Sequence, residues 1–325
     1  MGFSRYETRD SVISAELVVR GMWDGNATTL STFYTSSAQV ASSGSAYFTN
    51  VYSDITTSSL QFGIQYGHIS GSGSILVNPS IPNNSVSRTV YGQYRNLLYG
   101  TQNTAILDSG LTGNPITDIF VVNVARSKYR ESIKPGSLTL TLSGSSGVLQ
   151  LTDDSNTTAT TNYIDSNVYY NLRSGSLGVV NASTTTYGYV FPALGIILIN
   201  PTAIVGYVTV PNRATPTTTD PQNATLLYNS IKLGGSFSLQ SQETISSRFF
   251  FTRIYNNENN YTTNPSVIDA NGNLLYATLI NNPQTYITTI GLYNENHDLL
   301  AVAKLSKPLI KDFTKEVLLR VKLDY

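Results

Sequence analysis

Ser137-Leu138-Thr139-Leu140-Thr141-Leu142 alternates without a break, leucines on one side and small hydroxyl residues on the other. Successive side chains of a strand point to opposite faces, so this spacing puts the leucines together only if the segment is extended. It predicts a half-buried antiparallel strand. Pro135-Gly136 before it and Ser143-Gly144-Ser145-Ser146-Gly147 after it are turn chemistry. Residues 148–152 then read as the returning arm of a hairpin, closed by Asp153-Asp154-Ser155.

The same period recurs toward the C-terminus. Val317, Leu319, Val321, Leu323 and Tyr325 share one face, and Leu318, Arg320, Lys322 and Asp324 the other. Upstream, residues 286–293 and 299–305 flank the polar segment 294–298 and predict a second hairpin. Residues 119–124, 187–191, 196–199, 248–255 and 274–280 are further expected strands. Two short helices are expected. One carries Val90, Tyr91, Tyr94, Leu97 and Leu98 at helical spacing and ends at Gly100; the other starts with Asp220 as N-cap and Pro221 at N1, runs through Ala224, Leu227 and Ile231, and stops at Gly234-Gly235. No 20–50-residue period repeats, which argues against a solenoid or propeller.

The expected fold is therefore all-β and mainly antiparallel: sandwich-like β domains with an extended N-terminal arm and two short helices. Four stretches are anticipated. Residues 1–60 form a Ser/Thr-rich arm with the first strands, and 61–115 a loop-rich connector with a helix at 88–99. Residues 116–215 form a β domain, and 216–325 a short helix followed by a C-terminal β domain. Within these, 26–45 and 70–87 read as arms or surface loops.

Composition narrows the function. Twenty basic residues balance 20 acidic ones over 325 residues, and only 12% are charged, against about 25% in an average soluble domain. A nucleic-acid binder needs a basic stripe, so nucleic acid is not an expected partner. Absence of cysteine excludes disulfides and thiolate chemistry. No apolar run follows the first residues, so no signal peptide is expected. Gly2 lacks the Ser or Thr at position 6 that myristoylation favours, because Tyr6 stands there. The most apolar stretch, 190–210, is interrupted by Pro192, Gly195, Asn200, Pro201 and Gly206, so it reads as paired strands rather than a membrane helix. Sequons such as Asn223-Ala224-Thr225 are expected by chance in a chain this rich in Asn, Ser and Thr.

No catalytic constellation emerges, and catalytic, cofactor and metal residues are all expected to be none. His68 and His297 lie far apart, and the setting of His297 is that of a hairpin turn. Asp153-Asp154 offers Ca²⁺ ligands in principle, but Asp between strands serves local backbone hydrogen bonds far more often. No nucleophile elbow, dinucleotide fingerprint or P-loop is present. Glycosidase chemistry needs only two carboxylates, which leaves it as an alternative. The 22 tyrosines suit either strands or a recognition surface. The Asn-rich segment after the 248–255 strand supplies the candidate inter-subunit contacts Tyr255, Asn256, Asn259, Tyr261, Asn264 and Pro265, and is expected, with the N-terminal arm, to order only on assembly.

Several of these segments also occur together in a known setting. They are Arg88–Leu98, Asn123–Leu140, Tyr187–Leu198, Arg248-Phe249-Phe250-Phe251-Thr252-Arg253, Asn259–Pro265, Asn282–Tyr293 and the ending Val321-Lys322-Leu323-Asp324-Tyr325. In combination, over roughly residues 86–325, they resemble a family of virion structural proteins of contractile-tailed phages, notably T-even-like marine and cyanobacterial ones. The resemblance implies a particle component without catalytic residues, in the tail baseplate or else in the neck, collar or capsid surface. It implies multiple copies, a homo-oligomer or symmetric assembly, with other virion proteins as partners. A glycan-binding receptor-recognition module is the reading from a different class, and it would need exposed aromatic rings around a concave site.

Overall fold

Leu140 pairs with Leu151, Leu142 with Leu149, and Gly144 with Gly147. The alternating segment and its neighbour are thus the antiparallel hairpin Thr139–Gly144 and Gly147–Asp153, turning at Ser145-Ser146. The computed structural model describes residues 5–36, 48–78, 80–81, 84–100, 105–109, 112–157, 161–211, 213–215, 217, 222–262 and 264–324. The expected half-burial is corrected, since Thr139 and Thr141 are buried along with the leucines. The turn at Leu177-Gly178 folds over the threonine side: Leu177 N donates to Thr139 Oγ1 (2.9 Å) and Gly178 N to Thr152 Oγ1 (2.7 Å). Hydroxyls tolerate this burial because each finds a partner.

The chain divides into a large unit, residues 17–243, and a small unit, residues 1–16 with 244–325. This differs from the four stretches read in the sequence. The helix Asn223–Gly234 belongs with the large unit because its Ala224, Leu227 and Ile231 fill that unit's core.

The large unit is built on a 12-stranded sheet, counted among the described residues. From the hairpin the sheet continues through Asn167–Ser176, Gly188–Phe191, Ile196–Ile199, Asp118–Val124, Leu60–His68 and Phe48–Tyr52. On the other side of Thr139–Gly144 lie Phe237–Ser238 and Thr29–Leu30. The sheet curls on itself. Phe62, near one end, and Phe237, near the other, stand edge to face with ring centres 5.1 Å apart.

Side-chain alternation in the central strands sorts residues into two cores. Phe120, Val122, Val124, Val190, Ile197 and Ile199 face the inside of the curl. Ile119, Val121, Tyr189, Phe191, Ile196 and Leu198 face the opposite side, where the first helix packs. A strand buried on both faces reads as an unbroken apolar run, which is why 119–124 and 196–199 show no polar alternation. That first helix, α1, spans Val86–Tyr99, capped by Ser85 and ended by Gly100 at φ 70°. It buries Val90, Tyr91, Tyr94 and Leu98 but leaves Leu97 exposed. It lies so close to the sheet that a Cβ on Gly67 would sit 2.8 Å from Tyr91 N. The second helix, α2 (Asn223–Gly234), takes Gln222 as N-cap and stops at Gly235; Asp220 and Pro221 lie outside the described residues.

Two loop expectations are overturned here. Trp23, read as part of the arm, is buried, donates its indole N–H to Phe237 O (2.8 Å) and packs on Phe62 and Phe237. In the 70–87 stretch, Gly71 to Ser74 are buried. Ser87 N donates to Ser74 Oγ, Ser87 Oγ to Ser72 O, and Asn223 Nδ2 to Gly73 O. Glycine and serine go inside because the backbone there must pass close to α1 and α2, where larger side chains have no room. Residues 37–47 of the expected arm lie outside the described residues.

In the small unit, Ser247–Ile254 of the strand Gln240–Ile254 pairs with Val317–Asp324. The strands Thr285–Tyr293 and Leu299–Lys311 form the expected hairpin. Ile287, Ile290 and Leu305 of that hairpin pack on Ile254, Val317 and Leu319. Residues 274–280, read as a strand, are not one. Leu274 bridges Ile268, and a short helix, α3, follows over Ala277–Asn281. A short apolar run is ambiguous between the two structures, and Pro283 soon after blocks continuation of either.

Candidate functional site

Asn256 to Thr262 follows the strand that ends at the buried Ile254, and three features of the chain fix its path. Lys311, the last residue of its strand, is fully buried. Its ammonium donates to Asn256 O (3.0 Å), Asn260 Oδ1 (2.8 Å) and Asp312 O (3.0 Å), which uses every donor it has. Asn259 takes a left-handed backbone (φ 53°), which asparagine tolerates better than most residues, and its carbonyl accepts Thr285 Oγ1 (2.6 Å). Asn260 Nδ2 donates back to Asn256 O (2.7 Å). These hydrogen bonds hold the 256–260 loop to its own chain.

Neighbouring turns are held by local carboxylates. Asp269 accepts from Asn271 N (2.9 Å) and from both the backbone N (2.8 Å) and Nδ2 (3.1 Å) of Asn273. The resulting turn presents Gly272 O to the Tyr261 hydroxyl (2.8 Å) and so holds that ring. Asp312 accepts from Thr314 N (2.9 Å) and Thr314 Oγ1 (2.6 Å) and pairs with Lys315 (3.1 Å). The hydrogen bond from Thr314 and then that from Lys315 hold the Asp312 carboxyl at about 2. This folds the chain sharply and turns Phe313 outward.

These segments enclose a cleft of about 490 Å³. Carboxamides of Asn257, Asn259 and Gln284 line it, and these side chains make no hydrogen bond with the described residues. Tyr261 and Phe313 supply aromatic rings, each 55% exposed. Leu274, Leu279 and Pro283 supply an apolar wall. No protein-family model, no curated protein and no solved structure matches this chain.

Of the candidate contacts read from the sequence, Asn259 and Tyr261 line the cleft and Asn256 anchors Lys311. Tyr255 lies under the Arg253 guanidinium, 4.9 Å from ring centre. Asn264 Oδ1 caps Ser266 N (3.1 Å), and Pro265 is exposed; neither lines the cleft. Sequence reading missed Gln284 and Phe313, which reach the same place from distant segments. Only the polar–aromatic character of each neighbourhood hinted at them.

Other titratable groups among the described residues are engaged in contacts within the fold. Asp118 is fully buried beneath Arg213, with which it forms an ion pair, and it accepts the Tyr66 hydroxyl (3.2 Å). His68 sits beside it, its Nδ1 occupied by Ser70 N (3.1 Å). Burial lowers the His68 pKa, with the Asp118 charge opposing. Asp153 accepts Gly136 N (2.7 Å), and Asp154 accepts both Asn171 N (2.9 Å) and Asn171 Nδ2 (2.8 Å), the local bonding expected of a turn. His297 lies in the hairpin turn with φ 65°. Among the described residues no helix is long and apolar enough to cross a membrane.

Proposed function

We propose that this chain is a structural subunit of a tailed-phage particle, joined to its neighbours by protein–protein contacts in the tail baseplate, with the neck, collar or capsid surface as the other addresses. The observation that carries this reading is the outer face of the small unit's hairpin. Tyr286, Tyr293, Leu300, Val302 and Ile310 lie on it, with Leu300 68% and Val302 57% exposed. Apolar side chains exposed in this number on one face of a hairpin are expected to be covered in the working state. Among the described residues the two hairpin strands pair only with each other, so each also offers an open backbone edge for strand addition. The low charge of the chain and its resemblance to virion proteins point the same way.

Immunogold labelling of intact particles tests the reading. Label at the distal tail supports the baseplate address, and label at the neck or head moves the address. Particles that stay unlabelled, with an antibody verified on the native chain, argue against it. In parallel, Val302→Glu is expected to exclude the chain from particles while leaving its circular dichroism unchanged.

A further inference from the structure

We propose that the cleft between residues 257–262, 274–284 and Phe313 binds a neutral oligosaccharide. Its lining carries no charged side chain. The ammonium of Lys311, which holds the 256–260 loop, is buried and spent on three protein acceptors. An anionic ligand finds no counter-charge there and a metal ion finds no carboxylate. What the lining offers instead is a set of unpaired carboxamides, Asn257, Asn259 and Gln284, each both donor and acceptor. A sugar hydroxyl has the same dual character, so amide and hydroxyl satisfy each other without a charge being desolvated.

The aromatic component fits the same ligand. Tyr261 and Phe313 expose more than half their surface beside the amides, and the apolar C–H face of a pyranose packs on such a ring while its hydroxyls reach sideways. The volume lies within the roughly 300–1,000 Å³ range of small-molecule sites. An extended peptide is the other candidate, but peptides are read through strand edges, grooves for helices or charged termini. Every lining residue here lies outside a strand, in loops, turns or α3. The walls are also preorganised by Lys311, Asp269, Asp312 and Thr285, which lowers the ordering cost of binding.

The test uses the full chain with maltotriose, mannotriose and N,N′,N″-triacetylchitotriose, followed by saturation-transfer NMR and calorimetry. An anionic trisaccharide, 3′-sialyllactose, and tetra-alanine serve as controls. At least one neutral trisaccharide is expected to bind saturably with Kd of about 1 mM or tighter. Gln284→Ala and Phe313→Ala are each expected to weaken it about tenfold, whereas Tyr255→Ala, on the same loop but off the cleft, leaves it unchanged. Gln284→Glu, isosteric at a half-buried side chain, guards against a folding artefact and is also expected to weaken binding. The proposal is overturned if no neutral trisaccharide binds, if the cleft variants bind as the parent does, or if tetra-alanine binds in preference. Incorporation into particles is read separately, so the structural assignment stands or falls on its own.

Discussion

The two units solve the problem of stability differently. In the large unit Phe62, Phe120, Phe191 and Phe237 are sealed from solvent, and a helix lies against each of two apolar cores. In the small unit the least exposed apolar side chain among the described residues is Val321 at 6%, and the most deeply buried side chain is the charged Lys311. One unit is held by packing, and the other by polar pins around a thin core with apolar residues left facing outward. The exposed apolar residues of the small unit are the surface on which the proposed assembly contacts rest.

Breaking each kind of support should expose the difference. Phe62→Ala opens a cavity where Trp23, Phe33 and Phe237 meet it, and is expected to cost about 3–5 kcal/mol in urea denaturation followed by Trp23 fluorescence. Gly67→Ala pushes a methyl against the backbone of α1; overpacking of this kind costs about 1–3 kcal/mol. Lys311→Met removes the pin and strands three acceptors. It is expected to cost on the order of 1–2 kcal/mol, with faster amide exchange at residues 256–262 and little change in the large unit.

Acid should act on both units. Asp312 has its carboxyl held at about 2 by Thr314 and Lys315. Asp24 in the large unit is raised by partial burial, but hydrogen bonds from Lys128, Ser53 and Ser59 more than offset this and also hold it at about 2. Both folded values lie below the ordinary carboxylate range, so their stabilising share is complete above that range and is lost as pH falls through about 2. Side-chain carboxyl shifts followed from about pH 5 to about pH 1 should show both midpoints, and Asp312→Asn should flatten the small unit's response only. The smallest effect on stability is expected for Leu300→Ser, within about 0.5 kcal/mol. Binding of a hydrophobic dye should nevertheless fall, because the substitution removes exposed apolar surface rather than core.

Legibility in the sequence followed the same division. Alternation located the first hairpin and the Val317–Asp324 strand, two apolar runs around a polar loop located the second hairpin, and helical spacing with terminal glycines located α1 and α2. Where a segment was buried on both sides, as with Thr139 and Thr141, local pattern alone implied solvent on the hydroxyl face. The Gly/Ser stretch at 71–74 reads as a surface loop for the same reason: burial of small polar residues depends on what passes nearby. Residues 274–280 misled because an apolar run becomes a strand only if an edge is available to pair with it. Of the cleft, the Asn259–Tyr261 side was visible as an unusual loop, whereas Gln284 and Phe313 were not.

By itself, then, the sequence determined the antiparallel β class, the two hairpins, the central apolar strands, the C-terminal strand pair, both longer helices and the lack of cysteine chemistry, but it left the long strands Ser11–Gly21, Leu60–His68 and Asn167–Ser176 unread. These follow from local periodicity and composition, which act over a few residues. Tertiary structure alone decided that the large sheet curls until Phe62 meets Phe237, that Trp23 is core, and that Lys311 is buried beneath the 256–260 loop. Such contacts join residues from dozens to more than two hundred positions apart, and the free energy that selects them arises from burial and hydrogen bonding that no local pattern encodes.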